Sequence, residues 1–218
     1  NNNNVKDICF ADFKTSKFIN FNNNKLKAFE NLRCLNFWFL EPFFFIKYFY
    51  LSNNSLSEIK VNDFSKFIYL IELDLSINNL SKIDSNAFND LKSLKYLNLS
   101  FNKLRFLEKN LTKPLIDLIT FDLSHNRIKY LEDESFSTLS YLFSLYLNNN
   151  IFNQINNITF AGLRSIKDIT ISKEIFLSLT EESIYNLKNS LKSKLSRSVL
   201  EYVFFESLLP KTSVRLNS

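Results

Sequence analysis

Few residues in this chain could do covalent or metal chemistry. His125 is the only histidine, and Cys9 and Cys34 are the only cysteines. A general base needs a nucleophile or a reacting proton within hydrogen-bond reach. His125 has no cysteine near it in sequence and no evident triad partner, so the expectation is an exposed histidine at a sheet edge. Two cysteines 25 positions apart, with one histidine, do not make a zinc site of the usual spacing. The single glycine, Gly162, rules out a glycine-rich phosphate loop. The residues therefore point to no catalytic group, no metal, no cofactor and no enzyme. The formal charge is +5, with basic residues spread along the chain and only a mild cluster at Lys188, Lys192, Lys194 and Arg197. No basic stripe with interleaved aromatics occurs, so no nucleic-acid partner is expected.

Stepping along the chain in units of 24 shows what positions these residues. Leu70, Leu73, Leu75, Asn78, Leu80, Ile83, Phe88 and Leu91 recur as Leu94, Leu97, Leu99, Asn102, Leu104, Leu107 and Leu115. They recur again as Leu118, Phe121, Leu123, Asn126, Ile128, Leu131, Phe136 and Leu139, and then as Leu142, Leu145, Leu147, Asn150, Phe152, Ile155, Phe160 and Leu163. The unit before holds Ile46, Phe49, Leu51, Asn54, Leu56, Ile59, Phe64 and Phe67. Five units share one register without insertion. A sixth, from Ile166 to Leu187, has Glu174 in place of the Asn. A first, imperfect unit holds Ile19, Phe21, Asn24, Leu26 and Phe29. Six surplus residues separate it from the next unit and are placed in Trp38–Phe45. Period 24 means a solenoid of about seven coils.

Each position has a physical reading. Leu73 and Leu75 alternate with polar neighbours, which makes a short strand with one buried face. No single coil can bury its apolar side, so only the stack is stable. The recurrent Asn at 24, 54, 78, 102, 126 and 150 follows the strand, where the chain turns inward. An amide there can satisfy backbone groups whose loss would cost about 1–3 kcal/mol each. Phe64, Phe88, Phe136 and Phe160 form a spine on the far side. Thr112 interrupts it beside Pro114, so that coil is expected to be looser and to tolerate a Phe at 112. Glycine is scarce, but asparagine is abundant and can take over turn positions.

The pattern resembles the 24-residue "typical" class of leucine-rich repeats. Leu94–Leu104 reads Leu-x-x-Leu-x-Leu-x-x-Asn-x-Leu as it stands, and Phe160-Ala161-Gly162-Leu163 is similar to the Phe-x-Gly-Leu convex segment of that class. The resemblance spans about residues 16–189. It implies an α/β solenoid with a curved parallel sheet on its concave face, irregular or short helical convex segments and a C-terminal capping helix. It also implies a binding module, such as part of an extracellular receptor or adhesion protein, although the fold hosts many unrelated partners.

Three regions follow: an N-terminal tail and cap at 1–15, the solenoid at 16–189, and a helical cap and tail at 190–218. The spacing of Leu187, Leu191, Leu195, Val199 and Val203 predicts a helix over roughly 182–208. Relatives usually carry four cysteines in the N-terminal cap, which this chain lacks. Two readings of Cys9 and Cys34 stand open: a buried apolar thiol, or a disulfide closing a loop worth about 3 kcal/mol. The aromatic stretch Trp38–Tyr50 reads as a convex loop feeding the second strand, or as a contact patch. Cys34–Leu51 carries Glu41, Pro42 and Lys47, and no run reaches the ~18 apolar residues of a membrane helix. The chain has no Met, so Asn1 is expected to begin a fragment or processed product, with any signal peptide already removed.

The residues between and beside the core leucines should face the concave side. These are Tyr48, Tyr50, Glu72, Asp74, Tyr96, Asn98, Thr120, Asp122, Ser144, Tyr146, Asp168 and Thr170, with Ile77, Phe101 and His125 just beyond. Asp74 and Asp122 fall two strands apart, about 10 Å, which is wide for a metal. Tyrosines interleaved with acids suit a protein ligand or co-receptor. Seven strands span roughly 30 Å, modest beside the roughly 800 Å² per partner of a standard interface. Asn53, Asn79, Asn98, Asn110 and Asn157 begin Asn-x-Ser/Thr sequons that suit an extracellular, glycosylated chain. Of these, Asn98 should stay unmodified because it lies in the strand. The alternative is a cytoplasmic scaffold or adaptor with both thiols reduced.

Overall fold

The computed structural model of the chain describes residues 16–28, 46–153, 155 and 158–171. In chain order its elements are β1 (Phe18–Asn20), β2 (Tyr48–Tyr50), β3 (Glu58–Ile59), β4 (Glu72–Asp74), β5 (Lys82–Ile83), β6 (Tyr96–Asn98), β7 (Phe106–Leu107), α1 (Lys109–Thr112), β8 (Thr120–Asp122), β9 (Tyr130–Leu131), β10 (Ser144–Tyr146) and β11 (Asp168–Thr170). β1, β2, β4, β6, β8, β10 and β11 form one seven-stranded parallel sheet in that spatial order. Leu73, Leu97, Phe121, Leu145 and Ile169 face one another at steps of 24. Ile19 faces Phe49 at a step of 30, which is the six-residue surplus. The segment assigned to that surplus, Trp38–Phe45, lies outside the described residues. So do Asn1–Thr15, Cys9, Cys34, Asn157 and everything after Ile171, including the helix expected at 182–208.

The central residue of every strand is buried: Ile19, Phe49, Leu73, Leu97, Phe121, Leu145 and Ile169. Its two neighbours then face away, because side chains alternate across a sheet. Each strand of this sheet after β1 starts with the same bulge, in which two successive N–H groups share one carbonyl. Ile71 and Glu72 both donate to the Lys47 carbonyl at 2.8 and 3.0 Å, and Lys95 and Tyr96 to that of Ile71 at 2.8 and 3.0 Å. The sheet is thereby stitched identically at each coil.

The recurrent asparagines stitch the turn that follows. Asn102 Nδ2 donates to the carbonyls of Leu75, Leu99 and Ser100 at 3.0, 3.0 and 3.1 Å, and its Oδ1 accepts from Leu80 N–H at 2.9 Å. Asn54, Asn78, Asn126 and Asn150 accept likewise from Leu26, Leu56, Leu104 and Ile128. Each side chain thus ties its own turn to the coil before it. Asn24 donates to Phe21 and Asn22, but its Oδ1 is buried without a hydrogen-bond partner among the described residues.

The inward turn requires a left-handed residue just before each of these asparagines. Asn23, Asn53, Ile77, Phe101, His125 and Asn149 all have φ between 51° and 60°. Asparagine tolerates that region; a β-branched or bulky residue is strained there.

The far side is less regular. β3 pairs with β5 and β7 with β9, but no ladder joins β5 to β7. Phe64 meets Phe88 at 5.9 Å and Phe136 stacks on Phe160 at 6.2 Å. Between these pairs the chain forms the four-residue helix α1. At Thr112 itself the position is filled. Thr112 is buried, its hydroxyl lies within hydrogen-bond range of the Lys109 and Ser135 carbonyls, and Leu111 is buried beside it. A polar contact has replaced the ring. An opening lies beside it, a groove of about 560 Å³ between β5 and β7, lined by Ile83 of the coil before and by Leu104, Phe106 and Leu111 of the coil that holds Thr112. The only glycine is needed where it stands: Gly162 has φ +90°, and a Cβ there would meet the Ser137 carbonyl oxygen at 2.3 Å.

Candidate functional site: the open face of the sheet

Outward alternation places Tyr48, Tyr50, Glu72, Asp74, Asn98, Thr120, Asp122, Tyr146, Asp168 and Thr170 on the open face, all half-buried, with Tyr96 more exposed. Ser144 departs from expectation: it is buried and offers little surface. Two residues that the sequence reading passed over join the face at β1. Phe18 is exposed and packs edge-on against Tyr50 at 5.1 Å, with Asn20 beside it. The Ile19 register, already visible in the first unit, was the signal for them.

Two of the tyrosines lie beside acids of the next coil. Tyr146 Oη donates to Asp168 Oδ2 at 3.1 Å. The Tyr50 pKa is pushed up to about 12, by burial first and then by the neighbouring carboxylates of Glu72 and Asp74. Burial, together with Asp168, raises Tyr146 as well, although its bond to Ser144 works the other way. Ionising either phenol would set an anion against a carboxylate. Both therefore stay neutral donors at physiological pH.

The carboxylates themselves lack cations. Ion pairs such as Lys60–Glu58 and Lys109–Glu134 lie off this face. None of Glu72, Asp74, Asp122 and Asp168 belongs to one. The lysines lie instead at the starts of the strands, at Lys17, Lys47, Lys95 and Lys167; the last lies over the Phe143 ring at 4.6 Å. The face is thus polarised across its width, acidic at the centre and basic along one edge. That lysine row was readable in the sequence, one residue before four of the seven outward pairs.

Along the other edge run the left-handed turn residues. Ile77 and Phe101 are about half exposed. His125 stacks on Phe101 at 3.9 Å and 9°, and its Nε2 lies 2.9 Å from Asn149 Nδ2. At the opposite end, Asn53 Nδ2 donates to Asn23 Oδ1 at 2.7 Å. The edge is a row of side chains touching along the stack. His125 is engaged on one ring face and one nitrogen.

Of the sequon asparagines, Asn53, Asn79 and Asn110 are exposed. Asn98 Oδ1 accepts from Ser100 N–H and Oγ at 3.0 and 2.7 Å, so the amide and serine of that sequon are bound to each other. Among the described residues, no group of three or more His, Cys, Asp or Glu is placed to hold a metal, and no helix is long and apolar enough to cross a membrane.

No curated protein matches this chain. A solved structure described as "Crystal structure of TLR13-ssRNA13 complex" is similar, with a TM-score of 0.67 and 24% identity over 75% of this chain. That likeness concerns the fold alone, and this chain spans 23% of that one. The family profile "Leucine rich repeat" matches residues 46–104, 68–115 and 116–175. With the 24-residue register, the asparagine ladder and a match over more than half its length, the chain belongs to the leucine-rich-repeat family.

Proposed function

We propose that residues 16–189 form a protein-binding module of an extracellular receptor or adhesion protein, and that a protein ligand or co-receptor docks on the open face of the sheet. The observation that carries this reading is the polarised face itself. Tyrosines, one of them held by its hydroxyl to Asp168, and carboxylates without cations are set on a stack whose backbone groups are locked coil by coil. Such side chains lose little freedom on binding, which favours association. The same carboxylates disfavour a phosphate backbone, whose binding depends on lysine and arginine neutralisation. The similar solved structure is described as a complex with a single-stranded RNA; for this chain the acidic centre supports a protein instead. Asn53, Asn79 and Asn110 can carry glycans without covering the face, whereas a glycan on Asn98 would fill its middle.

Screening the chain against a displayed library of extracellular proteins tests the reading. Binders are expected to be lost with Tyr48→Ser and Tyr96→Ser and kept with Phe106→Ser and Tyr130→Ser on the far side. The opposite pattern would move the site off the sheet. Thiol counting on native material separates the extracellular reading from a cytoplasmic adaptor, for which both thiols would be free.

A further inference from the structure

The negative charge at the centre of the open face is not demanded by the fold. At Asn20, Asp74, Asn98 and Asp122, the Oδ1 atom does the same structural work, accepting the N–H two residues on at 2.9, 2.9, 3.0 and 2.8 Å. Two of the four are neutral amides. The turn needs an oxygen acceptor, and an amide supplies it as well as a carboxylate does. Asp74 and Asp122 nevertheless flank Asn98 on the adjacent strands, with Glu72 on the same strand as Asp74. Like charges gathered on one sheet face repel, and none of these three is in an ion pair among the described residues.

The carboxylates border a shallow hollow of about 160 Å³, walled also by Tyr96, Asn98 and Tyr146. Asp74 and Asp122 are two strand spacings apart, about 10 Å. Among the described residues, no group of three or more His, Cys, Asp or Glu is placed to hold a metal ion in this hollow. A planar cation with donors on two sides fits it, and the tyrosine rings offer faces on which such a cation stacks.

We infer that this hollow receives an arginine side chain of the protein partner, its guanidinium set between Asp74 and Asp122 and against Tyr96 or Tyr146. Arginine suits the site better than lysine, because its forked donors engage two carboxylates while its plane stacks on a ring. The inference rests on the open face being the binding face, and deepens that reading by naming the partner's anchoring chemistry.

The test is a titration of the full chain, labelled with ¹⁵N, with hexa-arginine, hexa-lysine and hexa-glutamate peptides and with a short single-stranded RNA. Hexa-arginine is expected to shift the amides of Asp74, Asn98 and Asp122, and to bind several-fold more tightly than hexa-lysine. Asp74→Asn with Asp122→Asn should weaken it at least about tenfold. This double variant should keep its fold, since asparagine already fills the equivalent positions 20 and 98. Asp90→Asn with Asp117→Asn, exposed elsewhere, controls for loss of net charge and should change little. Equal affinities for the double variant and its control, or lysine binding as tightly as arginine, would overturn the proposal. RNA shifting the same amides would replace it with a nucleic-acid site. A selected protein partner lost with Tyr48→Ser and Tyr96→Ser, but indifferent to Asp74→Asn with Asp122→Asn, would keep the open face as the binding face and discard the arginine.

Discussion

The two sides of the solenoid are built from the same 24-residue period, yet one is continuous and the other is broken. The sheet runs through seven strands without interruption, whereas the far side falls into two separate two-residue ladders with a groove between them. The difference lies in what joins one coil to the next. On the sheet side the joints are backbone hydrogen bonds and the asparagine amides, which have the same geometry whatever the neighbouring side chains are. On the far side the joints are ring-on-ring contacts, which depend on volume. A smaller residue at position 112 therefore changes the local path, and the β5–β7 ladder is lost beside it. Polar joints repeat faithfully; apolar joints follow the sequence.

The largest effect is expected from breaking the polar side. Asn102→Ala removes three donated bonds and one accepted bond from buried backbone groups, and should cost about 3 kcal/mol or more. Asn149→Ala loses an exposed contact with His125 and asparagine's tolerance of φ 56°, and should cost about 1–2 kcal/mol. Similar urea midpoints for the two variants would show that the amide ladder does not hold the sheet side together.

A smaller loss is expected from restoring the far-side spine. Read from the sequence, Thr112→Phe fills a gap; in the structure the position is already full and its hydroxyl is bonded. Overpacking and the lost bond should together cost about 2 kcal/mol. If thermal unfolding instead shows stabilisation, the spine and not the hydroxyl governs that coil, and the contrast between the two sides weakens.

The smallest effect concerns the edge between them. Ile77 has φ 51° and is about half exposed, so its side chain contributes little packing to offset the strain. Ile77→Asn places there the residue found at positions 23, 53 and 149, and should stabilise by about 1 kcal/mol. Phe101→Asn should gain less, because it also gives up the stack on His125. A destabilised Ile77→Asn would mean that the exposed row itself supports the turn.

Much of this was legible in the residues because a fixed period makes each coil report on the others. Position 73 must face inward if 49, 97, 121 and 145 do, so the core, the asparagine ladder and the outward residues of the sheet could all be written down from spacing. The same reasoning located the acids and tyrosines of the open face, and would have located Phe18 and the lysine row had it been carried one unit and one position further. Spacing could not say how one coil fits its neighbour. The burial of Ser144, the bond from Tyr146 to Asp168, the stack of Phe101 on His125 and the break between β5 and β7 are all decided between neighbouring coils, by residues some 22 to 25 positions apart. A period specifies which way a side chain points; only the packed structure decides what it touches, because that depends on the volume and reach of both partners at once.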